Sequence, residues 1–196
     1  MKKNTLLIGL AALTLIGCGG GGSGVNPVEY VAYDAPAISS AQKAEFLDAV
    51  NAARAVGRSC GKYGYMKAVP PLKWDDGLYR AAYEHSNDIA INGYSAHTGS
   101  GKQEDWTAQV LDLSRGSSAG ERILNNGLDQ SRSSYTYGEN VSAGRNTTEE
   151  VVRDWLDSDG HCRNIMYLRF KMLGMAYVEN DASQWKIYWT QTFGAE

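Results

Sequence analysis

The chain predicts an α+β fold in which helices cover both faces of a small, mainly antiparallel sheet, and three observations carry that prediction. Capped segments of helical period fill much of the first two-thirds, the last third changes to a period of two, and Tyr135 to Val141 between them reads as one more strand. At 196 residues a single domain is expected, with enough Val, Ile, Leu, Trp and Tyr to build a core.

The N-terminus comes first because it decides the compartment. Lys2 and Lys3 precede an apolar run from Leu6 to Ile16 that ends at Leu15-Ile16-Gly17-Cys18. Such a run is too short for a permanent membrane span and reads as a signal peptide, residues 1–17. Cys18 at its end fits a lipoprotein cleavage box and becomes the lipidated first residue; an ordinary signal peptide cut elsewhere is the competing reading. Gly19, in place of Asp, favours the outer membrane of a Gram-negative cell envelope. Residues 18–38 form the tether, with flexible Gly19 to Gly24 followed by an extended lead-in containing Pro27 and Pro36. Residues 39–196 form the folded domain.

Ser39-Ser40-Ala41-Gln42 has the form of a capping box and starts a helix with Phe46, Val50 and Ala53 on one face, ending near Gly57. After Trp74, Leu78, Ala82, His85 and Ile89 fall at helical spacing with Gly93 as the stop. His85 therefore lies on an apolar stripe and is expected as a hydrogen-bonded core histidine. Trp106, Val110 and Leu113 give the segment from Lys102 to Arg115 a helical period, and this segment is expected to wall a cleft. Ser118-Ala119-Gly120-Glu121 and Thr147-Thr148-Glu149-Glu150 open two more helices, the second carrying Val151, Val152 and Trp155 inward. Met172 to Glu179 and Gln184 to Phe193 then form a hairpin around Asn180 to Ser183. In its second strand Trp185, Ile187, Trp189 and Phe193 are expected to face the core, and Lys186, Tyr188, Thr190 and Thr192 the other side.

Loss of Lys2 and Lys3 with the signal peptide moves the formal charge from −3 to −5. No run of Lys and Arg or basic helix face appears along the chain, so nucleic acid is not an expected partner and the membrane is reached through the lipid on Cys18. A monomer is expected. Once Cys18 is acylated, Cys60 and Cys162 are left in an oxidising compartment and should pair, worth roughly 4 kcal/mol in the chain-entropy picture. The alternative makes Cys162 a thiolate nucleophile activated by His161.

Several short patterns carry less than they suggest. Gly116-Ser117-Ser118-Ala119-Gly120 matches a nucleophile elbow but lacks the preceding strand that elbow needs. Asn140-Val141-Ser142 and Asn146-Thr147-Thr148 match glycosylation acceptors. No HExxH helix, P-loop or dinucleotide fingerprint occurs, which sets aside the common zinc proteases, nucleotide hydrolases and dehydrogenases.

Three ordered segments remain: Tyr94-Ser95-Ala96-His97-Thr98-Gly99-Ser100, Gly138-Glu139-Asn140-Val141-Ser142-Ala143-Gly144, and Trp155-Leu156-Asp157-Ser158-Asp159-Gly160-His161-Cys162-Arg163-Asn164-Ile165-Met166. In this order, and across residues 41 to 193, the chain resembles the CAP superfamily of cysteine-rich secretory proteins, antigen 5 and pathogenesis-related proteins, in its bacterial secreted branch. The resemblance implies a three-layer α-β-α sandwich with a central cleft lined by two histidines and two acidic residues. His97, Glu139 and His161 match three of the four. The fourth position falls at or beside Ser158, with Asp157 one step earlier; adjacent helical residues point about 100° apart, so Asp157 is no simple replacement.

His97 and His161 with Glu139 make a chemically sensible set for zinc or another divalent metal, or equally a hydrogen-bonded polar cluster that needs no cofactor. His161 is expected in a loop just beyond the helix that ends at Ser158. The favoured reading is a tethered envelope binding module whose cleft, rimmed by His97, Glu139, His161 and Ser158, receives a lipid, glycan or peptide. The alternative is a hydrolase of an extracytoplasmic substrate in which Glu139 and a histidine exchange protons or a histidine-bound metal activates water. A structural knot of hydrogen bonds is the third. Replacing Cys18 with Ser should abolish incorporation of labelled fatty acid and release the protein into soluble fractions or block its processing; equal labelling of both forms would sink the lipid anchor.

Overall fold

The computed structural model describes residues 29–127 and 136–195. The signal segment, Cys18, the Gly-rich start of the tether and Tyr135 lie outside them. In chain order the elements are α1 (Ser40–Arg54), β1 (Arg58–Ser59), β2 (Tyr65–Met66), β3 (Lys73–Trp74), α2 (Asp76–Asn92), α3 (Trp106–Val110), α4 (Ala119–Asn125), β4 (Tyr137–Ala143), α5 (Thr148–Leu156), α6 (Asp159–Ile165), β5 (Met172–Glu179) and β6 (Ile187–Gly194).

Helix boundaries follow the side chains that can satisfy free backbone N–H groups. Ser39, Asp75, Asp105, Ser118 and Thr147 each cap a helix through the side-chain oxygen, and Ser118 with Glu121 completes a reciprocal capping box. Gly93 ends α2 in the left-handed conformation, φ 68°, where its N–H bonds the Ile89 carbonyl.

A four-stranded sheet in the order β3-β5-β6-β4 forms the middle layer. β5 runs antiparallel to β6 and β6 to β4, while the two-residue β3 is the one parallel neighbour. On one face lie α1, α5 and α6: Phe46, Val50, Val151, Trp155, Ile165 and Met166 pack with Leu173, Met175, Trp189 and Phe193 of the sheet. On the other lies α2 with α4, where Leu78, Ala81, Ile123, Tyr79 and Ala82 meet Met172 and Ala176. This is the α-β-α sandwich.

The alternation expected for β6 holds for direction but not for environment. Tyr188, Thr190 and Thr192, assigned to a polar side, are fully buried beneath α2. Small and hydroxylated residues there let the helix come close: Thr192 Oγ1 donates to the Leu78 carbonyl at 2.8 Å, and Ser86 Oγ to Thr190 Oγ1 at 3.0 Å. A Cβ on Gly174 would sit 2.1 Å from the Leu78 carbonyl carbon and the Tyr79 nitrogen, so only glycine fits. Trp185 does not join the core. The strand begins at Ile187, and Trp185 stays 37% exposed before Lys186, which takes a left-handed φ of 61°.

Residues 29–38 of the lead-in are extended, and they run against the body: Val31 exchanges hydrogen bonds with the Asn125 amide, Tyr33 N–H donates to Asn126 Oδ1, and Tyr79 Oη donates to the Pro36 carbonyl. Two other expectations change. The 102–115 segment holds one short helix, α3, because Leu111 caps it and Asp112 turns left-handed at φ 50°. His161 lies in a helix, not a loop. Ser158 restarts the chain after α5, and its carbonyl accepts the Cys162 N–H at 2.8 Å to open α6.

Cys60 and Cys162 form the disulfide, 102 positions apart, tying the β1–β2 hairpin to α6. The Cys162 thiolate reading is thereby overturned, since its sulfur is consumed and buried. Among the described residues no helix is long and apolar enough to cross a membrane.

Two outcomes test this packing. Gly174→Ala should destabilise by about 1–3 kcal/mol through overpacking, and Trp155→Ala by about 3–5 kcal/mol through a cavity, both read by chemical denaturation. Cys60→Ser should lower the melting temperature, and thiol titration of oxidised protein should find no free Cys60 or Cys162.

Candidate functional site

The site straddles β4, an edge strand, because consecutive side chains of a strand point to opposite faces. Glu139 turns toward the α2–α4 layer and Asn140 toward α6. From the first side comes His97, on the loop after α2; from the second comes His161. Their rings meet edge to face with centroids 6.3 Å apart. Glu139 has only 3% of its side chain exposed, whereas His97 shows 56% of its own to solvent. His161 is partly buried, and its imidazole makes no hydrogen bond with any described residue.

The residue that organises this arrangement, and that sequence reasoning missed, is Arg122. It is buried on α4, and its Nη2 donates to both Glu139 Oε2 and the His97 carbonyl at 2.8 Å. Its Nη1 donates to the Ser117 carbonyl and Oγ at 2.9 Å. Glu139 Oε1 accepts from His97 Nδ1–H at 2.9 Å. Both carboxylate oxygens are therefore engaged by the protein's own donors. Burial alone would raise the Glu139 carboxyl, but the charge of Arg122 and the hydrogen bonds from His97 and Arg122 outweigh it and hold the group at about 2.

The loop carrying His97 is fixed from behind by two buried carboxylates. Asp88 accepts from Ser100 N–H at 2.8 Å and from Tyr94 Oη at 2.6 Å. Asp105 accepts from Gly101 N–H at 2.9 Å and from Ser117 N–H and Oγ at 2.8 and 2.5 Å. Ser117 is thus a buried link between Asp105 and Arg122, with no exposed hydroxyl for an elbow nucleophile. The short helix α3 caps itself on Asp105 and bonds Glu84 through Thr107, so its contacts brace this loop from inside.

The α6 side is held by amides. Asn164 Nδ2 donates to the Glu139 carbonyl at 3.1 Å and to Asn140 Oδ1 at 2.9 Å, and Asn140 Nδ2 reaches the His161 carbonyl at 3.3 Å and Gln191 Oε1 at 3.0 Å. Asn140 is buried and so is no glycan acceptor. Ser158 occupies the N-cap position of α6 without a side-chain capping bond, and exposed Asp157 closes α5; no contact ties either to His97 or Glu139. Asp159 faces away, accepting the Lys62 N–H at 3.1 Å.

The three histidines have separate states. His97 is pushed up by its bond to Glu139 against the effect of burial, and His161 is pushed down by burial and then by His97. His85 is fully buried and lowered to about 4, first by burial and then by Arg122; its Nε2–H donates to the Ala96 carbonyl at 2.8 Å. It is the core histidine its apolar stripe predicted.

As a metal set these residues fit only in part. Glu139 is committed to Arg122 and His97, so two imidazoles remain, and among the described residues no group of three or more His, Cys, Asp or Glu gathers as ligands. The Glu139–His97 bond does match the carboxylate–histidine arrangement that orients a ligating ring and leaves Nε2 for a metal.

The family model described as CAP, cysteine-rich secretory protein family, matches residues 47–193. The uncharacterized protein YkwD of Bacillus subtilis (strain 168) is 27% identical over 159 residues, covering 81% of this chain and 49% of that protein, so the chain spans about half the length of the curated relative it matches. Among solved structures, an outer surface protein from Borrelia burgdorferi has a TM-score of 0.50 at 21% identity, covering 65% of this chain and 80% of that one. An extracellular protein containing a SCP domain from Bacillus anthracis has a TM-score of 0.50 at 21% identity, covering 83% and 45%. These two structures share the fold.

The charge states give a pH signature. Glu139, depressed in the fold, contributes stability that is present above its unfolded value near 4.5 and lost as pH falls toward about 2. His85, also depressed, loses its contribution as pH falls from 6.5 toward about 4. His97, raised, contributes fully below 6.5 and loses it as pH rises through its folded value. Imidazole NMR should show His97 titrating above 6.5 and His161 and His85 below it, with Glu139→Gln returning His97 downward. An unmoved His97 in that variant would contradict the pairing.

Proposed function

We propose that this chain, which belongs to the cysteine-rich secretory protein (CAP) family, is an extracytoplasmic binding module. Cys18 holds it at the cell envelope by its lipid, and the cleft of His97, Glu139 and His161 receives a polar group of a lipid, glycan or peptide ligand. The observation that carries this reading is the engagement of Glu139. A general base works best with a pKa near the operating pH, and a carboxylate held at about 2 with both oxygens occupied is a poor one. Its service is to orient His97.

What the cleft then offers is two imidazoles side by side. His97 is raised by its bond to Glu139, which favours its protonated, donating form, and His161, lowered by burial, makes no hydrogen bond with any described residue. Such a pair suits a group rich in acceptors, such as a carboxylate, a phosphate or a sugar hydroxyl. The same pair could hold a weakly bound divalent metal, with Glu139 as the outer partner of His97; a bound zinc would supply Lewis acidity there. An oxidised Cys60–Cys162 bridge supports an exported location, and two structures of the same fold are named for an outer surface and for the extracellular space.

The test is chemical analysis of the protein recovered from its own envelope. Mass spectrometry and elemental analysis should find a small molecule, or zinc, that accompanies the parent and is missing from His97→Ala and His161→Ala. Added Zn²⁺ should bind more weakly in either histidine variant and about 10–100-fold more weakly in Glu139→Gln, whereas His85→Ala should leave metal affinity alone and damage folding. Identical contents in parent and variants would reject the cleft as the binding site. Turnover of an ester, glycoside or peptide that is lost in Glu139→Gln would favour the hydrolase instead.

A further inference from the structure

Charge is unevenly distributed along the chain. Residues 57–73 and 160–178 carry seven of the 19 Lys and Arg and no Asp or Glu, although the whole chain has a formal charge of −3; Asp159, just before the second stretch, adds one carboxylate, which bonds the Lys62 N–H. Neither stretch is a basic cluster by itself, and about a hundred positions separate them. The fold joins them. Cys60 is bonded to Cys162, and the Arg163 guanidinium lies between two rings, 4.9 Å from the centroid of Tyr63 and 5.7 Å from that of Tyr167. Lys62 Nζ sits 5.3 Å from the Tyr63 ring, and Lys171 Nζ donates to the Leu168 carbonyl at 3.2 Å. Lys67 and Arg169 are exposed on the same two stretches. Among these cations large apolar groups face solvent: Tyr65 is 71% exposed, Leu168 58% and Tyr63 43%.

We propose that this surface docks the protein onto an anionic lipid headgroup layer. Such a layer complements the surface in two ways at once. Lys and Arg near a membrane gain from the negative surface potential, and Tyr and Leu side chains gain by entering the interface, where an aromatic ring keeps its hydroxyl among headgroups. A soluble polyanion would use the cations and leave Leu168 and Tyr65 without a role. The surface is also separate from the cleft: Arg163 is two positions beyond His161 on α6, about 200° around the helix, so docking leaves the cleft open. Membrane attachment, expected from the lipid alone, thus gains an electrostatic part that is discontinuous in sequence. The proposal rests on charge and exposure and does not depend on what the cleft binds.

The full chain is tested by partitioning into vesicles of phosphatidylglycerol and phosphatidylcholine in equal parts, against vesicles of phosphatidylcholine alone. Lys2 and Lys3 at the N-terminus also favour the anionic vesicles, so the decisive comparison is between parent and variants that carry the same N-terminus. The parent should prefer the anionic vesicles by more than about tenfold at low salt, and the preference should shrink as salt rises. Arg169→Glu with Lys171→Glu should lower the ratio severalfold, while Lys102→Glu, a charge reversal elsewhere, should leave it above the paired variant. Leu168→Ala should keep the salt-dependent ratio and lower the binding that survives high salt. If the reversed pair fails to fold, Arg169→Gln with Lys171→Gln reads the same quantity. A ratio near one for the parent, or one unchanged in the paired variant, overturns the proposal; so does binding of dextran sulfate through these residues with no preference between vesicles.

Discussion

The buried ion pair between Arg122 and Glu139 is the constraint on which the rest of the site depends. Neither group could remain charged there alone, since an isolated ion in the interior costs several kcal/mol. Paired, they fix three separate segments at once: α4 through Arg122, β4 through Glu139, and the loop after α2 through the His97 carbonyl and imidazole. The buried carboxylates Asp88 and Asp105 extend this framework into the His97 loop, with Ser117 as the link to Arg122. Replacing such a network by apolar residues could give an equally stable fold, so its use here is positional: it sets His97 against His161 at the sheet edge.

The two histidines arrive from opposite layers of the sandwich, which makes the cleft a property of the whole fold. Glu139 and Asn140, adjacent on β4, address opposite faces, and each holds the element that presents one imidazole. The disulfide adds a second hold on α6 from the far side, at Cys162 next to His161. Small residues between α2 and the sheet, Gly174 above all, let the α2 layer approach closely.

Much of this was legible in the sequence because it rests on local chemistry. Ser39, Ser118 with Glu121, Thr147 and Gly93 announce helix ends by the hydrogen bonds they can make, and His85 on an apolar stripe pointed to a core histidine, which bonds through Nε2. Cysteine count, with Cys18 read as acylated, pointed to the bridge. The ordered segments around His97, Glu139 and His161 pointed to the family and to the three residues that meet. Arg122 escaped notice since a lone Arg in a seven-residue helix looks like surface, and it gains meaning only when a buried Glu139 needs a cation. The helix at His161 was hidden by Gly160, and the polar-looking side of β6 by α2, whose close packing turns Thr190 and Thr192 into interior residues. The cationic face was invisible for a different reason: its two halves lie about a hundred positions apart and meet only in the folded chain, through the disulfide, the β3–β5 pairing and the Tyr63–Arg163 contact.

A double-mutant cycle on Arg122→Met and Glu139→Gln, read by denaturant unfolding at neutral pH, tests the central claim most directly. Each single change should cost about 3–5 kcal/mol by stranding the other charge, and the double variant should cost less than the sum by more than about 1.5 kcal/mol. Additive losses, or singles that cost less than about 0.5 kcal/mol, would contradict an ion pair at the centre of the site.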